Sequence, residues 1–143
     1  MQLLLDADGI IKLNRAGVLA IVVREFSCAV PQTVYDEVVT KGKARLHQDA
    51  EIIETILAGN VTVLPVRRYE HQESGLGAGE LGILSLLLRG RDAIVVSDDR
   101  RFLAQLTTQG IPFLTPADLL VMLARRGVLN KGEARTALDP YGQ

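Results

Sequence analysis

Two short apolar runs in this chain each lead into an acid, and that limits the possible folds more than any other feature. Leu3-Leu4-Leu5 meets Asp6, and Ile94-Val95-Val96-Ser97 meets Asp98. Runs so short and apolar suit strands buried on both faces, as in a parallel sheet. Open α/β sheets hold their ligands outside the carboxyl ends of such strands, so both acids are expected on that edge. Glu37, in Val34-Tyr35-Asp36-Glu37-Val38-Val39, and Glu80, opening Gly79-Glu80-Leu81-Gly82-Ile83-Leu84, fall in the first turns of expected helices. Val34, Tyr35 and Val38 make the core-facing stripe of the first helix. Glu37 sits beside that stripe, and Asp36 is expected to point away. Gly75, Gly77 and Gly79 permit close or unusual backbone paths ahead of Glu80.

Strand and helix signals alternate along the chain, which favours a parallel sheet with helices on its faces. Strands are expected at 2–6, at Ala29-Val30-Pro31, at Val61–Leu64, at 93–97 and at Ile111–Leu114. Helices are expected at 8–16, 32–41, 44–58, 80–89, 99–109, 116–126 and about 130–138. Residues 18–25 mix apolar and charged types and suit helix and strand equally. Arg67–Gly79 has little periodicity and reads as a flexible loop beside the site. Thr115 before Pro116 is a good N-cap. With no repeat, low-complexity tract or linker, residues 1–143 are expected to form one α/β domain with a central parallel sheet of 4–5 short strands flanked by helices.

Bulk properties narrow the function classes. Apolar residues make up 48% of 143, enough to fill a single core and too many for a disordered chain. No apolar run approaches the ~20 residues needed to span a bilayer, and Met1–Leu5 lacks the basic segment of a secretory signal. Cys28 is the only cysteine, so a reducing cytoplasm is the natural expectation, with Cys28 packed as a small apolar group. The net charge of −1 does not advertise nucleic-acid binding. Basic pairs nevertheless recur at Arg67-Arg68, Arg89/Arg91, Arg100-Arg101 and Arg125-Arg126, and setting aside the acids of the cluster leaves the remainder mildly basic.

Taken singly, each acid is ordinarily structural: Asp6 a cap, Glu37 a solvated helix residue, Glu80 a response to a helix dipole. Converging without cationic partners, the four would repel strongly unless a divalent cation neutralised them. All-oxygen ligation suits Mg²⁺ or Mn²⁺, and such ions commonly serve phosphoryl chemistry. A competing pattern is Leu4-Leu5-Asp6-Ala7-Asp8-Gly9, which looks like the first motif of haloacid-dehalogenase-type phosphatases. There Asp6 would be a nucleophile and Asp8 an acid/base. That family also needs a lysine before its last motif, and this chain has none between Lys43 and Lys131. It also leaves Glu37 and Glu80 without a task.

Taken as an ordered set, the stretches Leu3–Asp8, Val34–Val38, Gly77–Ile83 and Val95–Ala104 resemble the PIN domain family over nearly the whole chain. These are metal-dependent ribonucleases that include the VapC-type toxins of toxin–antitoxin pairs. The tail, from Gly110-Ile111 through Gly127-Val128-Leu129 to Ala137-Leu138, is similar to a bacterial and archaeal subgroup. The resemblance implies a three-layer sandwich fold with Asp6, Glu37, Glu80 and Asp98 as the acidic site and Asp99 as an auxiliary metal ligand. It further implies Mg²⁺ or Mn²⁺ as cofactor and RNA as substrate. Asp6 and Asp98 are expected to touch the metal, and Asp8 to be a variant outer group or a cap. Ser97 is expected either to hold a metal-bound water or a phosphate or to cap the helix that follows, and Arg100 and Arg101 are expected to contact phosphate. An antitoxin partner and a homodimer are expected as well, with the apolar helices 80–88 and 116–126 serving either as their surfaces or as core. The alternative within the same fold is a PIN-like module that binds nucleic acid without useful turnover. With three Phe, three Tyr and no Trp, no extended base-stacking platform is expected. No role is required of His47 or His71.

Overall fold

The computed structural model describes residues 2–45, 48–66 and 77–138. Strand β1 (Gln2–Leu5) leads into helices α1 (Ala7–Arg15) and α2 (Leu19–Glu25). Strand β2 (Cys28–Pro31) follows, then a long helix α3 in three consecutive stretches, Gln32–Tyr35, Asp36–Thr40 and Lys41–Ala44. The middle stretch is wound as a π-helix. Next come α4 (Gln48–Leu57), β3 (Val61–Leu64), α5 (Ala78–Leu88) and β4 (Ala93–Val96). The chain continues through α6 (Arg100–Thr108), β5 (Phe113–Leu114), α7 (Pro116–Arg125) and α8 (Lys131–Leu138).

The five strands run parallel in the order β3-β2-β1-β4-β5, which makes β1 the central strand. Burial explains why the apolar runs became strands. Leu4, Leu5, Ala29, Val30, Val95 and Val96 are fully enclosed, with helices covering the sheet. Each of these leucine and valine side chains contributes about 1.5–3 kcal/mol on leaving water. Strand order reverses between β1 and β4, where Leu5 pairs with Val96, so both strands end at the same level. That is the topological switch point, where a crevice opens at the strand ends.

The helices differ from expectation in instructive ways. Leu19–Glu25 is helical because Leu19, Val22 and Val23 recur at spacings of three and four and bury on one side. The helix expected over 32–41 runs on to Ala44 through its π-wound middle. The helix expected to open at Glu80 begins at Ala78, with Gly77 extended before it, so Gly79 and Glu80 lie inside the first turn. Thr115 caps α7 as expected, its hydroxyl accepting from the Asp118 amide at 3.2 Å while the Asp118 carboxylate accepts from the Thr115 amide at 2.9 Å. Most of the loop expected between Arg67 and Gly79, with Arg67, Arg68 and His71, and also His47, lies outside the described residues.

The two apolar helices are mainly core. Ile83 and Leu84 on α5, and Leu119, Leu120 and Leu123 on α7, are buried, while Leu88 and Val121 remain 47% and 43% exposed. Cys28 packs inside as expected, its thiol against the Phe26 carbonyl, and burial pushes it up to about 12, too high for a nucleophile. Arg126 is not a free solvated charge, because its guanidinium lies 4.4 Å from the centre of the Phe26 ring. Arg91 donates to the Gln2 side chain at 2.6 Å.

Candidate metal centre

Asp6 leaves β1 in an extended conformation and caps α1, its Oδ1 accepting the Gly9 amide at 2.7 Å. Its own amide reaches the Val96 carbonyl across the switch point at 3.2 Å. The Ser97 hydroxyl also hydrogen-bonds the Asp6 carboxylate. Only 3% of Asp6 is exposed, and that burial pushes its carboxyl up to about 7. The two hydrogen bonds oppose the rise, and the charges of Asp8 and Glu80 add to it.

Glycines govern how close the other acids come. A β-carbon on Gly79 would lie 3.1 Å from Val34 Cγ2, and one on Gly82 would lie 2.5 Å from Thr33 Oγ1. These glycines are needed for close approach rather than for unusual dihedrals: they let α5 lie directly against the start of α3. That contact carries Glu80 on α5 toward Glu37 on α3. The Glu80 carboxyl is raised by burial first, and then by the nearby charges of Asp99 and Glu37, with Arg101 opposing. Asp36 turns aside, its carboxylate held by the Gln32 side chain at 2.9 Å.

The result is a cavity of about 220 Å³ lined by Asp6, Ala7, Asp8, Ile11, Glu37, Gly77, Gly79, Glu80 and Asp99. Of the acids singled out in the sequence, Asp6, Glu37, Glu80 and Asp99 face this cavity. Asp98 does not line it. Its Oδ2 instead accepts from Lys12 Nζ at 2.9 Å, and Lys12 also stands 3.5 Å from Asp8 Oδ2. The reason lies in the turn after β4: Asp99, one residue later, is the N-cap of α6 and accepts the Phe102 amide at 3.1 Å. The residue at the cap is the one turned toward the crevice.

Of the two roles open to Ser97, the structure shows a local one. Ser97 is fully buried, and besides holding Asp6 its oxygen accepts the Asp99 amide at 3.2 Å. It therefore fixes two cavity acids relative to each other rather than meeting substrate. Arg100 and Arg101 are exposed at the start of α6, directly after the cavity residue Asp99. Lys12 was not anticipated. Its signal was present as an Asp8-to-Lys12 spacing of four on a helix.

The donor set fits a hard divalent cation. It is all oxygen, burial and neighbouring negative charge raise the proton affinity of Asp6 and Glu80, and Asp8 Oδ2 is enclosed without a hydrogen bond, with only the Lys12 ammonium 3.5 Å away. Among the described residues no three of these side chains are already drawn together as a ligand set. Binding an ion would thus require carboxylates to swing inward.

Comparison with known families bears on the same residues. A family model described as a PIN domain matches residues 2–140, which includes every element from β1 to α8. No curated protein matches the chain.

Proposed function

The chain belongs to the PIN domain family, whose members are generally nucleases using divalent metals, and on that footing we propose that it is a Mg²⁺- or Mn²⁺-dependent endoribonuclease. The observation that carries this reading is the cavity at the switch point, where Asp6, Glu37, Glu80 and Asp99 meet with Asp8 at their side. The haloacid-dehalogenase pattern at Asp6 and Asp8 has no such support. Asp6 is almost fully buried and spends an oxygen on Gly9, and Asp8 is paired to Lys12.

Asp6, Glu37, Glu80 and Asp99 would hold the ion, with Asp8 available from the side. A bound divalent ion lowers the pKa of a coordinated water and neutralises charge gathering on a phosphodiester. The chain's own residues do the rest. Asp6 is fixed by the Gly9 amide and Ser97, so its position survives the approach of a polyanion. Glu80, whose proton affinity is raised, is suited to take a proton from the attacking water. Glu37 is exposed at the cavity wall and is suited to orient that water. Arg100 and Arg101 offer guanidinium groups to the backbone of the strand.

The test is RNA cleavage with and without Mn²⁺ for the protein and its Asp6→Asn variant. Cleavage that survives chelation, or full activity in Asp6→Asn, overturns the reading. RNA binding without any turnover would favour the non-catalytic module instead. The toxin role, an antitoxin partner and a homodimer rest on the resemblance, and a cytoplasmic setting rests on the single cysteine. Growth arrest on expression, relieved by a neighbouring gene's product, tests the first two.

A further inference from the structure

Lys12 lies between two acids that come from opposite halves of the chain, Asp8 on α1 and Asp98 after β4. Nζ is 2.9 Å from Asp98 Oδ2 and 3.5 Å from Asp8 Oδ2, and Asp8 itself lines the cavity, so the ammonium stands just behind one of its acids. Both side chains of the Lys12–Asp98 pair are about one third exposed, so the ammonium is neither deeply buried nor freely solvated. Its proton affinity is raised, chiefly by the hydrogen bond to Asp98, so it stays charged. Oxygens at 2.9 and 3.5 Å suit an ammonium, whereas Mg²⁺ binds oxygen at about 2.0–2.1 Å.

We propose that Lys12 is a positioning residue that holds Asp98 in place outside the cavity and stands between Asp8 and Asp98 where a second divalent cation would otherwise bind, so that the cavity takes a single metal ion. The proposal rests on the metal-dependent reading above and specifies its stoichiometry. Its charge logic is simple. Asp98 and Asp8 share one tethered cation, and placing a second doubly charged ion beside that ammonium is opposed by repulsion between like charges. Removing the ammonium frees two carboxylates that already face each other across it. Methionine keeps the length of the lysine stem without its charge, and at this partly exposed helix position it is compatible with α1.

Mn²⁺ titration by calorimetry, with electron paramagnetic resonance to report spin coupling between neighbouring ions, distinguishes the outcomes. The expected result is one equivalent per chain for the native protein. Lys12→Met, and separately Lys12→Gln, should take two equivalents with coupled spectra, and Lys12→Met with Asp98→Asn should return to one. Two equivalents in the native protein, or one in both lysine variants, overturns the role of Lys12 while leaving the metal-dependent reading intact. No binding by any of these proteins overturns both. Thermal unfolding of each variant confirms that the stoichiometry is read on folded protein.

Discussion

Gly9 approaches Val96 so closely that a β-carbon on it would lie 2.8 Å from the Val96 carbonyl oxygen and 3.0 Å from Asp6 Oδ1. The first turn of α1 is thereby pressed against the end of β4, and the same contact aims the Gly9 amide at Asp6. Gly9→Ala sets two effects against each other. Alanine raises helix propensity by about 1 kcal/mol, but its methyl must displace a strand carbonyl and a capping carboxylate, which typically costs about 1–3 kcal/mol. The displaced atom is backbone in a central strand pair, so the clash should win. Net destabilisation of about 1 kcal/mol is expected in chemical denaturation, with weakened Mn²⁺ affinity; a stabilised variant would contradict it.

Asp6 gives stability a specific pH dependence. Its folded carboxyl sits at about 7 against an ordinary 3.8, so the folded state holds the proton more tightly than the unfolded chain. Its contribution is therefore fully present below about pH 4 and is lost as pH rises toward 7, at most about 1.4 kcal/mol per pH unit. Asp6→Asn should accordingly be more stable than the native protein at pH 8 without metal, and the gap should close toward pH 4. Excess Mg²⁺ should raise the native melting temperature at pH 8 and leave Asp6→Asn nearly unmoved. Equal melting curves at pH 8 would refute the account.

The two acids after β4 should separate kinetically. Asp99→Asn keeps a side-chain oxygen able to cap α6 but removes charge from the cavity, and a loss of about 100-fold or more in metal-dependent cleavage is expected. Asp98→Asn disturbs only the partner of Lys12 and should cost roughly tenfold, the lower end of what outer-sphere groups of metal sites contribute. Comparing kcat for the pair at saturating Mn²⁺ decides the order, and the reverse ranking would return Asp98 to the cavity.

Thr33 and Gly82 should couple. Thr33 Oγ1 is buried with no hydrogen-bond partner, so Thr33→Val should stabilise the protein by about 1 kcal/mol. Gly82→Ala sends its methyl toward that hydroxyl and should destabilise. Combining it with Thr33→Ala should recover about 1 kcal/mol or more, as a double-mutant cycle on denaturation midpoints would show. Strict additivity would mean that α5 and α3 are not held at this contact.

The sequence made some of this legible and concealed the rest for physical reasons. Leu3–Leu5 and Ile94–Val96 announced buried strands because short apolar runs that end at an acid suit burial on both faces of a sheet, and the acids that follow were placed at the correct edge. Glu37 and Asp36 were told apart because helical spacing fixes which one adjoins the apolar stripe. Asp98 and Asp99 were not, because the choice depends on which residue caps α6, a matter of two dihedral angles rather than of composition. The close approach of α5 to α3 was half visible: the glycines were noticed, but their use as flat contact surfaces depends on what lies opposite. Lys12 escaped because the acids were weighed against one another and not against the cations one helical turn away.

The strand order has a consequence for the life of the chain before it is complete. A nascent polypeptide emerging as far as β3 already holds Asp6 and Glu37, yet the wall that carries Glu80 and Asp99 has not been made. Leu5 finds Val96 only after two thirds of the protein has left the ribosome. The acidic cavity is thus completed late, and a product ending before Asp99 would lack one of its walls.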